Sequence, residues 1–520
     1  MTPIRQQLSA LGARYATARE TVRERAAPHL GIDPRALGAF RVALAVLVLT
    51  DLLVYRLPEV GTFYTDDGVL PRSALAEVYP LLETGSLHAL SGSVRVQAGL
   101  LAVAACAAVC LLVGYRTRTA TLVSAVLLAS LYARNPYVLN GGNTVLVAFL
   151  FVSLFLPLDA RWSLGRGSGG RDRNFVEASG AGERDGNTDG ADGVEPRVCS
   201  LGTAVTLLTL VSIYAANAVS KYRSDAWMSG VAVPRIFQLG EFTVGIGPLV
   251  SEYAAVLEAI NWLWIALLSA SVLLVVATGR LRTGVALAFV SAHLGMAATM
   301  RLAVFPFVMA SVLLLFLPPG VWNAAETVVS RVRTSSRPAE PAYRGDGGEP
   351  EHAASAASRS RVRSGIRAGA GLLLVVFFLA LVWWQAAGVG LVDLPAAESS
   401  GGLSEVSWSF FSPDPPDASG WYVARGTLES GETIDLRDGG PVTFDRPPDA
   451  AETYPTTLWH QFGFRMKHAG ESRYRPVAAY LCERSERDVA SVTLFHVEQA
   501  VGPEGPTDQP EAERRIRAAC

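Results

Sequence analysis

Apolar stretches of roughly 17–25 residues, the length that crosses a hydrocarbon core of about 30 Å as helix, recur along the chain. They lie at about 37–56, 94–114, 119–134, 142–158, 199–219, 254–278, 283–300, 303–321 and 368–392. In lipid a backbone must satisfy its own hydrogen bonds, so such stretches are helices. The pattern predicts an all-α membrane helical bundle of about nine transmembrane helices. Half of the 520 residues are hydrophobic and the mean hydropathy is +0.28, too apolar for an ordinary soluble enzyme. A net charge of −2 gives no basic field for nucleic acid, so no nucleic-acid partner is expected.

Charge sets the expected orientation. With nine spans, the segments on the N-terminal side hold 24 Arg and the opposite segments hold eight basic residues. The positive-inside rule then puts the N-terminus in the cytoplasm and the C-terminal region outside, in a multi-pass protein of the cell membrane. Residues 1–35 carry six Arg and lack an apolar run of signal-peptide length, so the first span is expected to be a retained anchor. The expected order is a cytoplasmic tail at 1–35, a transmembrane domain at 36–322, a linker at 323–366 and a last helix at 367–392. Residues 231–252 are broken by Pro and Gly and read as interfacial or re-entrant. The Gly-, Ser- and charge-rich insertion at 165–198 and the linker cannot bury a core and are expected to be disordered. Alternation of β-branched or aromatic with polar residues in "GWYVARGTLESGETIDL" and "SVTLFHVE" predicts a β-rich extracytoplasmic domain at 398–508. A charged tail is expected at 509–520.

The five cysteines (106, 110, 199, 482 and 520) are scattered, with no CxxC and no Cys/His cluster, so no metal site or redox pair is expected.

Of 45 basic side chains 43 are Arg; the two Lys are Lys221 and Lys467. Guanidinium stays protonated in proteins, whereas a desolvated amine can exchange a proton and act as base or nucleophile. Lys221 ends an apolar run, where it either supplies that amine or snorkels to the headgroups. Asp225 stands four residues on, within helical pairing distance, and Trp227 suits either a site or an interfacial aromatic belt. Arg41, Asp51, Glu258, His293 and Arg301 also fall at membrane depth, where ionisable groups usually face protein or a wet cavity. His293 and Arg301, eight residues apart, are expected on one helix side, able to line a cavity with Lys221; packing is the other reading of His293.

Several segments together resemble one family. "GAFRVALAVLVLTDLLVYRLPEVGTFYTDDGVLP" (38–71), "NPYVLNGGNTVLVAFLFVSLFLPLDARWSL" (135–164), "KYRSDAWMSGVAV" (221–233) and "HLGMAATMRLAVFPFVMASVLLLFLP" (293–318) stand in the same order as in the horizontally transferred transmembrane domain. That domain belongs to the superfamily of the vitamin K-dependent γ-carboxylase. "WSFFSPDPPDASGWYVARGTLESGETIDL" (408–436) and "YLCERSER" (480–487) are similar to the C-terminal extension of its prokaryotic members. The resemblance implies a reduced quinone of menaquinol type as cofactor, with Lys221 as the base that deprotonates it. In the carboxylase, oxygen then yields an epoxide and a strong base, which takes a proton from glutamate before CO2 adds. Aligned on Trp227, Lys221 matches the first of the carboxylase's two consecutive lysines, and Tyr222 stands at the second, the one credited with catalysis there. Aligned on Tyr137, Asn135 stands where the carboxylase has His, and Asn143 follows Gly-Gly where prokaryotic members often have Asp.

Three functions follow as expectations. The first is an integral-membrane, quinol-dependent oxygenase or carboxylase-like enzyme. Its outward-facing site would use Lys221, Asp225 and His293 for chemistry, with Arg41, Asn135, Tyr137, Asn143, Tyr222, Trp227 and Arg301 for binding. The second is a non-catalytic scaffold that holds a lipid or an extracytoplasmic protein partner. The third, a transporter, lacks the internal repeat such folds usually show.

Overall fold

A computed structural model describes residues 20–164, 175–176, 197–333, 356–392, 408 and 410–520. Six helices among them are long and apolar enough to cross a membrane. They begin with α1 (Pro34–Thr50), which runs on into a π-helical turn at Asp51–Arg56. Pro34 at its first turn and Asp33, whose side chain accepts from Arg35 N, set its start. Next is α2 (Val94–Val113), closed by Gly114 at φ 76°, a left-handed cap that suits glycine. The others are α5 (Leu201–Tyr222), α6 (Ala254–Ser269, continuing to Val276), α7 (Gly279–Thr299) and α10 (Ala356–Gly388, with its apolar stretch from Ala368).

Nine spans were expected, and three of those segments fall short of this standard for identifiable reasons. Helix α3 (Thr117–Arg134) carries Arg118 and Arg134, and α4 (Gly141–Ser153) has only 13 residues. The third, α8 (Phe305–Leu313), meets α9 (Pro319–Arg333) through a bend of 106° after Phe316, next to Pro318 and Pro319. The broken segment 231–252 forms two short helices, Ala232–Ile236 and Gly247–Val250, and no spanning helix.

Side-chain bonds sort the connections into two ends. At one end Arg35 donates to Asn323 and Glu326, Arg161 donates to Glu326, and Arg282 donates to the carbonyls of Pro28 and His29. At the other end the C-terminal domain sits on the loops. Tyr480 bonds Thr62, Arg473 donates to Tyr137 Oη, Ser419 donates to Glu241, and Arg301 donates to Tyr454 O.

That domain is β-rich, as expected. Strands β1 (Ala418–Leu428), β2 (Thr433–Asp435), β3 (Val489–Gly502) and β4 (Glu511–Ala519) form an antiparallel sheet in the order β2–β1–β3–β4. Helices α11 (Thr457–Met466) and α12 (Glu471–Arg484) complete it, α12 packing across β3 and β4. Two expectations are corrected here. Residues 511–519 are a strand and not a charged tail, because their backbone pairs with β3 from Ser491 to Glu498. Cys482 and Cys520, scattered in a sequence where no redox pair was expected, form a disulfide that ties this strand's end to α12. The insertion 165–198 and the linker 323–366 lie largely outside the described residues. Within them Phe175–Val176 pairs with Arg197–Val198, and both described ends of the linker are helical.

Candidate functional site

Helix α5 starts at a capping box, Ser200 with Thr203, and its polar residues near the far end fall on one side. Asn217, Ser220 and Lys221 follow the helical repeat, and Ser224 lies just beyond, where the helix gives way to a one-turn helix at Asp225–Met228. All four are buried. Lys221 is 1% exposed. Its Nζ donates to Phe410 O at 3.0 Å and lies 4.2 Å from the centre of the Trp227 ring. Among the described residues no carboxylate forms a salt bridge with it.

The rest of the same stripe holds the same segment of chain. Asn217 donates to Trp408 O at 2.9 Å, Trp227 Nε1 to Phe411 O at 2.8 Å and Ser224 Oγ to Asp414 at 2.5 Å. Ser412 donates to Ser220, and Trp408 Nε1 donates to Thr144 Oγ1 at 2.8 Å. Trp408 and residues 410–414 therefore form a lid over the end of α5. Phe411 adopts φ 52°, a left-handed conformation rare for a bulky side chain, while its carbonyl meets the indole.

The other expected site residues are distributed around this centre. Asp225 is exposed and does not pair with Lys221: the helix breaks at Arg223 and Ser224, so four-residue helical spacing is lost. Tyr222 is also exposed, its hydroxyl on Ser269 Oγ at 2.8 Å. His293 is fully buried, with Nε2 2.9 Å from Tyr214 Oη, and its ring meets Phe305. Phe305 in turn packs on Phe410, the residue whose carbonyl takes the Lys221 bond. Lys221 and His293 thus flank one aromatic pair from different sides. Arg301 does not share the helix side of His293, because α7 ends at Thr299 and the chain turns extended at Met300. Its guanidinium instead bonds Tyr454 O in the C-terminal domain.

Asn135, Tyr137 and Asn143 have local roles. Asn135 donates to Phe63 O and accepts from Tyr137 N, while the Tyr137 hydroxyl accepts from Arg473. Asn143 closes a capping box with Asn140 and donates to Asp51 and to Tyr132 Oη, each at 3.2 Å. Asp51 and Arg56 form a fully buried ion pair at 3.3 Å; Tyr132 donates to Asp51 and Arg56 to Tyr64. The amide thus completes a network whose charge is carried by Asp51. Arg41 lies at the opposite end of the bundle, donating to Trp162 O.

Sequence reasoning missed the cleft above the lid. It has a volume of about 10 Å³, room for roughly one water. Glu241, Tyr454, His460, Lys467, His496 and Glu498 line it. Lys221 is not among the lining residues; Phe242, packed on both Phe411 and His460, stands between. Burial pushes the Glu241 carboxyl up. His460 is held down to about 3 by burial and then by Arg301, and His496 to about 4 by burial and then by Arg515. Both ring nitrogens of His460 are buried without a hydrogen-bond partner. The signal available beforehand was the polar stripe Asn217–Ser220–Lys221–Ser224; nothing local in sequence pairs it with a loop some 190 residues away.

No protein-family model, no curated protein and no solved structure matches the chain.

Proposed function

We propose that this protein is an integral-membrane enzyme in which the Lys221 amine accepts a proton from the substrate, beneath a lid formed by Trp408 and residues 410–414. The observation that carries this reading is a wholly buried amine on an indole face, with one carbonyl as acceptor and, among the described residues, no salt-bridged carboxylate. An amine can release and take up a proton there; a guanidinium could not. The resemblance to the horizontally transferred transmembrane domain supplies the substrate class, a reduced quinone. Its hydroxyl proton would pass to Lys221, leaving a phenolate for reaction with oxygen. Phe305, Phe410, Phe411 and Trp227 offer the apolar, ring-lined surroundings that such a molecule favours once the lid lifts.

The same reading has nine passes with the C-terminal domain outside. The charge asymmetry supports it, as does the Cys482–Cys520 disulfide, because disulfides persist in oxidising compartments. Arrangement of the connections into two ends agrees with an odd number of passes.

A second reading is favoured by the lid itself. Asn217, Lys221, Ser224 and Trp227 all hold one loop, so the stripe could serve as the latch of a non-catalytic scaffold that presents the domain to a partner. The two separate in one assay, oxygen uptake by the purified full chain with a menaquinol analogue. The enzyme reading expects turnover that Lys221→Met and Lys221→Arg both abolish while the variants stay folded. Turnover unchanged in both variants, or none in the wild type, would leave the latch.

A further inference from the structure

At the end of the bundle away from Lys221, three polar atoms are buried without a hydrogen-bond partner at one corner: Arg41 Nε, Arg41 Nη1 and Ser163 Oγ. Arg41 is 1% exposed and its remaining terminal nitrogen donates to Trp162 O at 2.7 Å. Gly114 brings them together. A Cβ on that glycine would lie 1.7 Å from Arg41 Nη1 and 2.5 Å from Ser163 Cβ, so only glycine lets the helix end close over the guanidinium. No salt bridge neutralises Arg41 among the described residues. Asp159, the carboxylate that acts on it electrostatically, is exposed, and neighbouring Arg161 is taken up by Glu326. A buried cation left with two unpartnered nitrogens is costly unless an anion completes it.

The surroundings say which anion. Tyr115, Trp162 and Leu164 are exposed beside the corner, as an interfacial belt requires, and Arg116 and Arg118 are exposed on the same turn. Basic pockets between spanning helices on the cytoplasmic side are suited to anionic headgroups, and guanidinium matches phosphate in a fork. We propose that Arg41, with Ser163, binds the phosphate of an anionic lipid headgroup. Local rotation of Trp162 and Ser163 would admit it, with phosphate oxygens accepting from Nη1 and from the Ser163 hydroxyl. This site is independent of the proton chemistry at Lys221 and rests on the bundle's lying in a membrane with this end on the cytoplasmic side.

The test uses the delipidated full chain in neutral detergent, titrated with phosphatidylglycerol, with phosphatidylcholine and with inorganic phosphate. Thermal midpoint and native-mass adducts are the readouts. Phosphatidylglycerol should raise the midpoint and bind roughly tenfold more tightly than phosphatidylcholine, the range of a charged hydrogen-bonded contact. Arg41→Gln should erase that preference and Ser163→Ala should reduce it several-fold. Because Arg41→Gln could fail to fold, Ser163→Ala alone keeps the test decisive. Equal binding of the two lipids, or a preference untouched by Ser163→Ala, overturns the proposal. A midpoint shift reproduced by inorganic phosphate alone overturns the lipid source.

Discussion

Single residues carry unusual weight here because several charges lie wholly inside the bundle. Asp51 and Arg56 are each 1% exposed and are satisfied by one another and by Tyr132, Tyr64 and Asn143. Removing one partner of such a pair strands the other, at a cost of about 3–5 kcal/mol. Asp51→Ala should therefore lower the thermal midpoint of the detergent-purified protein sharply; a loss under about 1 kcal/mol would mean that Arg56 finds water instead. Lys221 was legible at this scale. Two lysines against 43 arginines single it out, and the structure finds it buried. Its neighbours were less legible. Asp225 was expected as a partner because four residues make a helical step, but the helix ends at Tyr222. Asn143 serves Asp51, a relation between residues 92 positions apart that periodicity cannot reveal.

At the scale of elements, the lid is the feature with most consequences. Trp227 Nε1 donates to Phe411 O in a buried setting, so Trp227→Phe should cost about 1–2 kcal/mol and raise amide exchange across 410–414. Unchanged exchange there would show that the loop is held from its other end. The Cys482–Cys520 disulfide closes a separation of 38 residues, worth about 4 kcal/mol in the loop-entropy account. Cys482→Ser should lower the stability of the C-terminal domain by that order and leave the bundle's helicity intact in circular dichroism; loss of both would mean that the two units unfold together. Apolar runs located every long helix because hydropathy averages over some twenty residues. They did not reveal the bend after Phe316, the π-helical turn at Asp51–Arg56 or the strand at Glu511–Ala519, which depend on tertiary partners. The last of these carries so many charges that composition pointed to a solvated tail.

For the whole molecule, what matters is how the C-terminal domain seats on the bundle. The seam holds His460 and His496, kept down to about 3 and about 4, both below the usual imidazole value near 6.5. Such histidines bind protons more readily once the domain unfolds or lifts. Stability is therefore fully present above about pH 6.5 and drains away as pH falls toward 4. Glu241, raised by burial, has the opposite sign and returns part of the loss as it protonates. Melting of the full chain should move to lower temperature between pH 7 and 5, with a shallower dependence in His460→Phe; a flat profile would show that the seam stays wet.

One amine, that of Lys221, is kept from water by a segment from the far side of the chain. The sequence offers its own internal control, since Lys467, with its side chain 24% exposed, is the only other lysine. Timed labelling of the folded protein with an amine-reactive reagent, read at both lysines by mass spectrometry, tests it directly. Lys467 should be modified while Lys221 stays protected, and protection should fall when Asn217→Ala and Trp227→Phe loosen the lid. Equal modification of Lys221 and Lys467 in the unaltered protein would contradict the account.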